Sequence, residues 1–220
     1  MNPTLALALS EGLQALGLPL TADQQQRLLD YLALLNKWNR VYNLTAVRAP
    51  EQMLYQHLLD CLATVVPLQN RYPAACDVLD VGAGGGLPSV VFAIACPNWR
   101  VTAVDTVAKK AAFIQTVAHQ LGLGNLQAVH ARVEALEGRF DLVTCRAFAS
   151  LQDFCSSSRH LLGPGGHWLA LKAKRPQEEL DQLPPSVLVE QIEPLLVPGL
   201  DAQRCLVWMK PTAKEGDLHG

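Results

Sequence analysis

Little in this chain carries charge. Asp, Glu, Lys and Arg make up 17% of its 220 residues, against 50% hydrophobic residues, and the formal net charge is −2. That balance excludes a disordered or polyelectrolyte chain and supports a packed core. It also excludes overall basic attraction as a route to nucleic acid, which would need a local patch instead. No uninterrupted apolar run approaches the length of a bilayer crossing. The opening "MNPTLALALSEGLQALGLPL" lacks a basic leader and is interrupted by Glu11, so an amphipathic helix is expected there and not a signal peptide. The six cysteines (Cys61, Cys76, Cys96, Cys145, Cys155, Cys205) form no C-x-x-C pair and have no histidine at zinc-ligand spacing. At this size that favours reduced thiols over a zinc site or a disulfide framework, and no bound metal is expected. In the cytoplasmic protein this implies, the glycosylation sequon at Asn43–Thr45 carries no meaning. The Gly-Lys-Ser/Thr of a P-loop is absent as well.

What is present divides in two. Residues 1–70 read as helical, a cap on the rest of the chain. Leu5, Leu9, Leu13 and Leu16 recur at three- and four-residue steps, and Thr21 with Gln24 forms a capping box for a helix running to about Trp38. "EQMLYQHLLDCLATVV" reads as a further helix, ended by Pro67. From Cys76 the rhythm changes to short apolar runs alternating with helical patterns. "CDVLDVG", "RVTAVD", "LQAVHA", "FDLVTCRA" and "GGHWLALKA" read as strands, and "SVLVEQIEPL" and "QRCLVWMK" as a final pair. This alternation predicts an α/β fold: a mostly parallel, seven-stranded, Rossmann-like sheet with helices on both faces. Residues 213–220 are expected to fray as a tail.

"VLDVGAGGGLPSVV" then raises a question, since four of the five residues from Gly82 to Gly86 lack side chains. A merely tight turn needs one or two glycines. A bend this bare lets a ligand approach the main chain, and the first strand's loop is where open α/β sheets hold nucleotides. A dinucleotide fingerprint would want its third glycine at Leu87. Asp80 followed by Gly82, Gly84 and Gly86 gives Asp-x-Gly-x-Gly-x-Gly, the pattern of S-adenosylmethionine (SAM) methyltransferases. Asp105, about 20 residues on at the end of the second strand, is placed to accept from ribose hydroxyls. Together they favour SAM over NAD.

Six blocks carry a more specific resemblance: "WNRVYNLTAVR" (38–48), "HLLDCL" (57–62), "DVGAGGGLP" (80–88), "ARVE" (131–134), "FDLVTCRAFASL" (140–151) and "ALKA" (170–173). In order and content the chain resembles the bacterial small-subunit ribosomal RNA methyltransferase G family, also called the glucose-inhibited division protein B family, over roughly residues 25–210. The resemblance implies a class I SAM-dependent methyltransferase domain over 71–212 behind the helical cap, and methyl transfer to N7 of a guanine in the decoding-region loop of 16S rRNA. The substrate would be the 30S subunit, its precursor or naked rRNA, and the enzyme a cytoplasmic monomer. It further implies that Gly82, Gly84 and Leu87 line the cofactor, that Val133 and Glu134 flank its adenine, that Arg146 reaches it, and that Arg132, Lys172 and Arg204 contact RNA. Ser89, Cys145 and Gln56 depart from the family's usual residues.

The chemistry agrees. Guanine N7 offers a lone pair and has no proton to lose, so no general base is required and none is assigned. Cys145 lacks the Pro-Cys context of a thiolate nucleophile and reads as a buried strand residue. Arg146 reads as a fixed cation for a SAM carboxylate or an RNA phosphate, against a plain ion pair. His57 and Asp60, three apart, read as a structural pair or an RNA-facing surface, with a metal or catalytic role as the alternative. Lys109 and Lys110 read as a solvated face, Lys172, Lys174 and Arg175 as part of a local positive patch, and Trp38 and Tyr42 as core by helical spacing, with stacking on bases as the alternative. A small-molecule methyltransferase and a non-catalytic SAM-binding module remain as alternatives, with an NAD oxidoreductase further off.

Overall fold

The structure is a computed structural model and describes residues 3–148 and 150–212; the tail expected over 213–220 lies outside the described residues. Two long helices lead, α1 (Pro3–Ala15) and α2 (Ala22–Tyr42). The capping box at Thr21 forms as its sequence requires: Gln24 N–H donates to Thr21 Oγ1 at 3.2 Å, and Thr21 N–H donates to Gln24 Oε1 at 2.9 Å. Helix α2 outruns the expected stop near Trp38, because Asn43 supplies a left-handed cap at φ 50°. Next, α3 (Pro50–Met53) passes through a π-helical segment (Leu54–Leu59) into α4 (Asp60–Leu62). Pro67 does not end this run. It lies in the first turn of α5 (Val65–Arg71), where backbone N–H groups have no intrahelical partner and a proline forfeits nothing.

The remainder alternates as predicted: β1 (Asp77–Val81), α6 (Ser89–Ala95), β2 (Arg100–Asp105), α7 (Ala108–Gln120), β3 (Leu126–His130), a 3₁₀ turn (Val133–Ala135) and β4 (Phe140–Arg146). Then come α8 (Leu151–Ser158), β5 (Leu162–Lys172), α9 (Gln177–Asp181), β6 (Val187–Leu195) and β7 (Arg204–Pro211). The strands form one seven-stranded sheet in the order β3-β2-β1-β4-β5-β7-β6, with β7 antiparallel to both its neighbours.

Both faces of the sheet are covered, so β1 alternates between two cores and not between core and water. Val78 joins the apolar cluster shared with the N-terminal helices, while Leu79 and Val81 join the cluster beneath α8. Trp38, half-buried, packs against the first cluster with its ring 5.3 Å from that of Phe113. Strand order turns back between β1 and β4, whose carboxyl ends lie side by side in the register Val81↔Cys145. A crevice at that switch point is where such sheets take ligands.

Candidate active site

The glycine bend leaves β1 at this crevice. Gly82 and Ala83 N–H both donate to the Val104 carbonyl, at 2.9 and 3.1 Å, which draws the bend across the end of β2. Gly82, Gly84 and Gly86 all have left-handed φ, at 69°, 58° and 83°. At Gly86 a side chain would be blocked twice, by that φ and by Val90 Cγ2, only 2.5 Å from where a Cβ would stand. At Gly84 a Cβ would meet nothing nearer than the Gly82 carbonyl at 3.8 Å, so the bare backbone there opens on to the cavity that it lines. Behind the bend, Tyr31 on α2 donates its hydroxyl to the Gly85 carbonyl at 2.6 Å, fully buried. The helical layer thus grips the loop from the rear.

Asp105 serves the loop first. Its Oδ2 accepts from Gly84 N–H and its Oδ1 from Val107 N–H, each at 2.9 Å, joining the glycine bend to the start of α7. A carboxylate has about four lone-pair sites, so two remain for a ligand. Lys110 Nζ lies 3.8 Å from Oδ2. Deeper, Asp80 is completely buried: its Oδ2 accepts from Ser89 N–H at 3.1 Å, and burial pushes its pKa from 3.8 to about 6. Thr144, its register partner on β4, and Ser89 leave their hydroxyls unpartnered beside it, as does Asp80 Oδ1, among the described residues.

Two cavities open on either side of the bend and share Gly82, Lys110 and Ala147. The smaller, about 340 Å³, is lined by Asp105, Val133, Glu134, Arg132 and Phe148. Val133 is buried, and Glu134 beside it is held below the usual carboxylate range by its own backbone N–H and by Arg132, 3.2 Å away. The larger, about 540 Å³, is lined by Gly84, Leu87, Arg146, Lys172 and Arg204, with Thr45, His57 and Asp60 from the helical layer. Ala147, which follows Arg146, sits at φ 58° without being glycine, a strained turn of the kind that marks functional loops.

The larger cavity is cationic. Among the described residues, Lys110, Arg146, Lys172 and Arg204 face it, against one carboxylate, Asp60. Lys172 pairs with Glu179 at 2.8 Å. Asp60 accepts from both arginines, Arg204 Nε at 2.5 Å and Arg146 Nη1 at 3.3 Å, and Arg146 Nη1 also reaches the Gln56 carbonyl at 3.3 Å. For Arg146, burial works against the charge, but the Asp60 carboxylate bonded to it favours the charge, and its pKa stays above the ordinary value. His57 hydrogen-bonds to Thr45 Oγ1 at 2.7 Å; burial, then Arg146, lowers its pKa to about 4, so it is neutral at pH 7. Cys145 is buried with its pKa raised well above that of a free thiol by desolvation, so it supplies no thiolate.

The residues singled out in the sequence therefore divide by lobe. Asp105, Val133, Glu134 and Arg132 belong to the smaller cavity, and Gly84, Leu87, Arg146, Lys172 and Arg204 to the larger. Arg132 is thus separated from the two basic residues with which the resemblance grouped it. His57 and Asp60 are not paired with each other; each has its own partner at the same cavity. Lys110, on the face expected to be solvated, is 31% exposed at its side chain and stands at the junction of the lobes. Its signal was its place four residues before Ile114 and seven before Val117, in the buried stripe of α7, which Lys109 does not share. Tyr31 belongs to no motif; its signal is that it is the one hydroxyl-bearing member of the buried stripe Leu28, Leu32, Leu35 of α2.

A glycine bend at the switch point, an acidic residue ending β2 and a sheet with one reversed strand define a class: the Rossmann-like class I methyltransferase fold. The glycopeptide N-methyltransferase MtfA, solved with S-adenosyl-L-methionine, overlays with a TM-score of 0.58 at 15% identity, over 71% of this chain and 95% of its own. Sequence goes further than fold. The profile of the rRNA small subunit methyltransferase G family matches residues 24–207, and the chain belongs to that family. It is similar to the protein named ribosomal RNA small subunit methyltransferase G from Acidovorax ebreus, at 56% identity over 96% of this chain and 98% of the relative. The protein of that name from Methylibium petroleiphilum is 58% identical over 93% of this chain and 94% of its own.

Proposed function

We propose that this chain methylates N7 of a guanine in the decoding-region loop of 16S rRNA, within the 30S subunit or its precursor, with SAM as donor. The reading is carried by one observation: family identity spans residues 24–207, which include every residue assigned above to the two lobes. Relatives that match this closely over their full lengths are named for ribosomal RNA, which weighs against a small-molecule acceptor or a module that only binds SAM.

The smaller lobe suits an adenosine. Asp105 keeps lone pairs for ribose hydroxyls, and Val133 gives an apolar wall with Glu134 at its rim. The backbone of Gly82 and Gly84 and the side chain of Leu87 would hold the donor where the lobes meet, within reach of Arg146. Bound there, SAM supplies a sulfonium methyl: the N7 lone pair forms the N–C bond as the C–S bond breaks, its electron pair stays on sulfur, and S-adenosylhomocysteine leaves. No proton is transferred, so the protein's task is alignment and exclusion of water. His57, with both ring nitrogens engaged by Thr45 and the Gln56 carbonyl, and Cys145, held as a thiol, offer no competing base or nucleophile. Lys172 and Arg204 give the larger lobe the local positive charge that an acidic protein needs to meet phosphate. Among the described residues no helix is long and apolar enough to cross a membrane, and no cluster of three or more His, Cys, Asp or Glu is placed to hold a metal. The enzyme acts as a cytoplasmic monomer.

Mapping 7-methylguanine in 16S rRNA by borohydride reduction and aniline cleavage tests this. Cleavage at one decoding-loop guanine should vanish when the gene is deleted and return on complementation. Identical patterns in the two strains would refute the reading.

A further inference from the structure

The cap contributes one carboxylate to the larger lobe, and that carboxylate touches two cations from different strands. Asp60 is buried at 7% exposure, in α4 immediately after the π-helical segment. It accepts from Arg204 of β7 on one oxygen and from Arg146 of β4 on the other. β4 and β7 are not neighbours, since β5 lies between them. No sheet hydrogen bond therefore sets the distance between these two side chains; Asp60 does. Each arginine is about a fifth exposed at its side chain, at 22%. Among the described residues, Arg146 uses only Nη1, and Arg204 uses Nε and, to the Gln203 carbonyl at 2.8 Å, Nη1. Nε and Nη2 of Arg146 and Nη2 of Arg204 keep their donors, and none of them is a sealed, unpartnered atom. The three-residue unit carries net charge +1 and faces the cavity with donors to spare.

We propose that Asp60 is a positioning residue: it holds Arg146 and Arg204 side by side as one preorganised, bidentate-capable pair for the anionic backbone of the substrate RNA. This rests on the function proposed above. Two guanidinium groups this close repel one another, and the carboxylate between them sets their spacing and removes that repulsion before the substrate arrives. A buried ion pair is by itself weak evidence for a stabilising role. Here the unit lies at the rim of the site, it keeps free donors, and its anion comes from the layer that also grips the glycine bend.

Asp60→Asn decides between positioning and bulk charge, because the two predict opposite signs. The substitution adds one unit of positive charge to the cavity. If the arginines act only as charges, RNA binding tightens and KM for 30S subunits falls. If Asp60 positions them, KM rises about tenfold or more, with kcat and the affinity for S-adenosylhomocysteine changed by no more than about twofold. Asp60→Glu keeps the charge but reaches one methylene further, and its KM should lie between those of the wild type and D60N. If D60N does not fold, a raised KM in D60E alone supports the proposal and an unchanged one overturns it. A fall in S-adenosylhomocysteine affinity matching the rise in KM would also overturn it, since Asp60 would then serve the cofactor or the fold. Equilibrium binding of a decoding-loop RNA oligonucleotide, read without turnover, separates the two levels. A wild type that binds the RNA and methylates nothing refutes the reaction alone, whereas equal binding by wild type and D60N refutes the role of Asp60.

Discussion

Asp80 begins the glycine motif, is completely buried and lacks a nearby cation to which it is bonded, so its charge should cost the protein stability. Asp80→Asn removes that charge without changing shape. The folded pKa of about 6 lies above the ordinary 3.8, so between those values the folded chain holds a proton that the unfolded chain has released. Stability therefore falls as pH rises through this window, and the deficit is complete above about pH 6. A displacement of about 2 units at 1.36 kcal/mol each makes it about 3 kcal/mol. The amide that D80N introduces can also donate to the unpartnered hydroxyl of Thr144, adding to the gain. At 2–4 °C per kcal/mol for a chain of this size, D80N should melt roughly 6–12 °C higher than wild type at pH 7.5. That advantage should shrink to the hydrogen-bond contribution below about pH 4. His57 titrates with the opposite sign. Its pKa of about 4 lies below the ordinary 6.5, so its contribution is lost on acidification through that range, and the wild-type curve alone would mix the two. The quantity to measure is the difference between D80N and wild type, by urea denaturation at half-unit steps from pH 4 to 7.5. A difference independent of pH, or a D80N less stable than wild type at pH 7.5, would refute the reasoning.

Two further substitutions address the bend. Gly86→Ala places a Cβ 2.5 Å from Val90 Cγ2 at a φ of 83°, so a loss of about 2–3 kcal/mol is expected in denaturant melts, together with weaker S-adenosylhomocysteine binding; an unperturbed melt would show that the bend is not held as described. Tyr31→Phe strips the buried Gly85 carbonyl of its 2.6 Å partner and should cost about 1–3 kcal/mol, with calorimetry expected to show lower cofactor affinity because the grip on the loop is lost. Full cofactor affinity in Y31F would confine the helical layer's role to stability.

Much of this was legible in the sequence because it rests on local rules. The alternation from Cys76 onward marks β1 to β5, since buried parallel strands run nearly continuously apolar between turn signals, and two further apolar runs mark the antiparallel pair β6 and β7. Thr21 and Gln24 announced a helix start that formed as written. What local rules could not give was the meeting of distant residues. Asp60 finds Arg204, 144 positions away, only because the π-helical segment and β7 converge at one end of the sheet. Pro67 misled because proline reads alike at a helix's end and in its first turn. Lys109 and Lys110 look like one charge pair in the sequence, but the period of α7 separates them and turns Lys110 toward the cavities. Asp105 was found, but its first partners, the N–H groups of Gly84 and Val107, depend on a loop geometry that no spacing rule supplies.

On the proposed function, one crevice, divided by a bare backbone, takes the adenosine of the methyl donor on one side and RNA on the other. A crystal structure of the protein with S-adenosylhomocysteine tests this most directly. The ribose should lie at Asp105, the adenine between Val133 and Glu134, and the sulfur beside Gly82 and Arg146, facing the cavity that Lys172 and Arg204 line. A ligand seated away from the glycine bend, or with its sulfur turned away from the larger lobe, would contradict it.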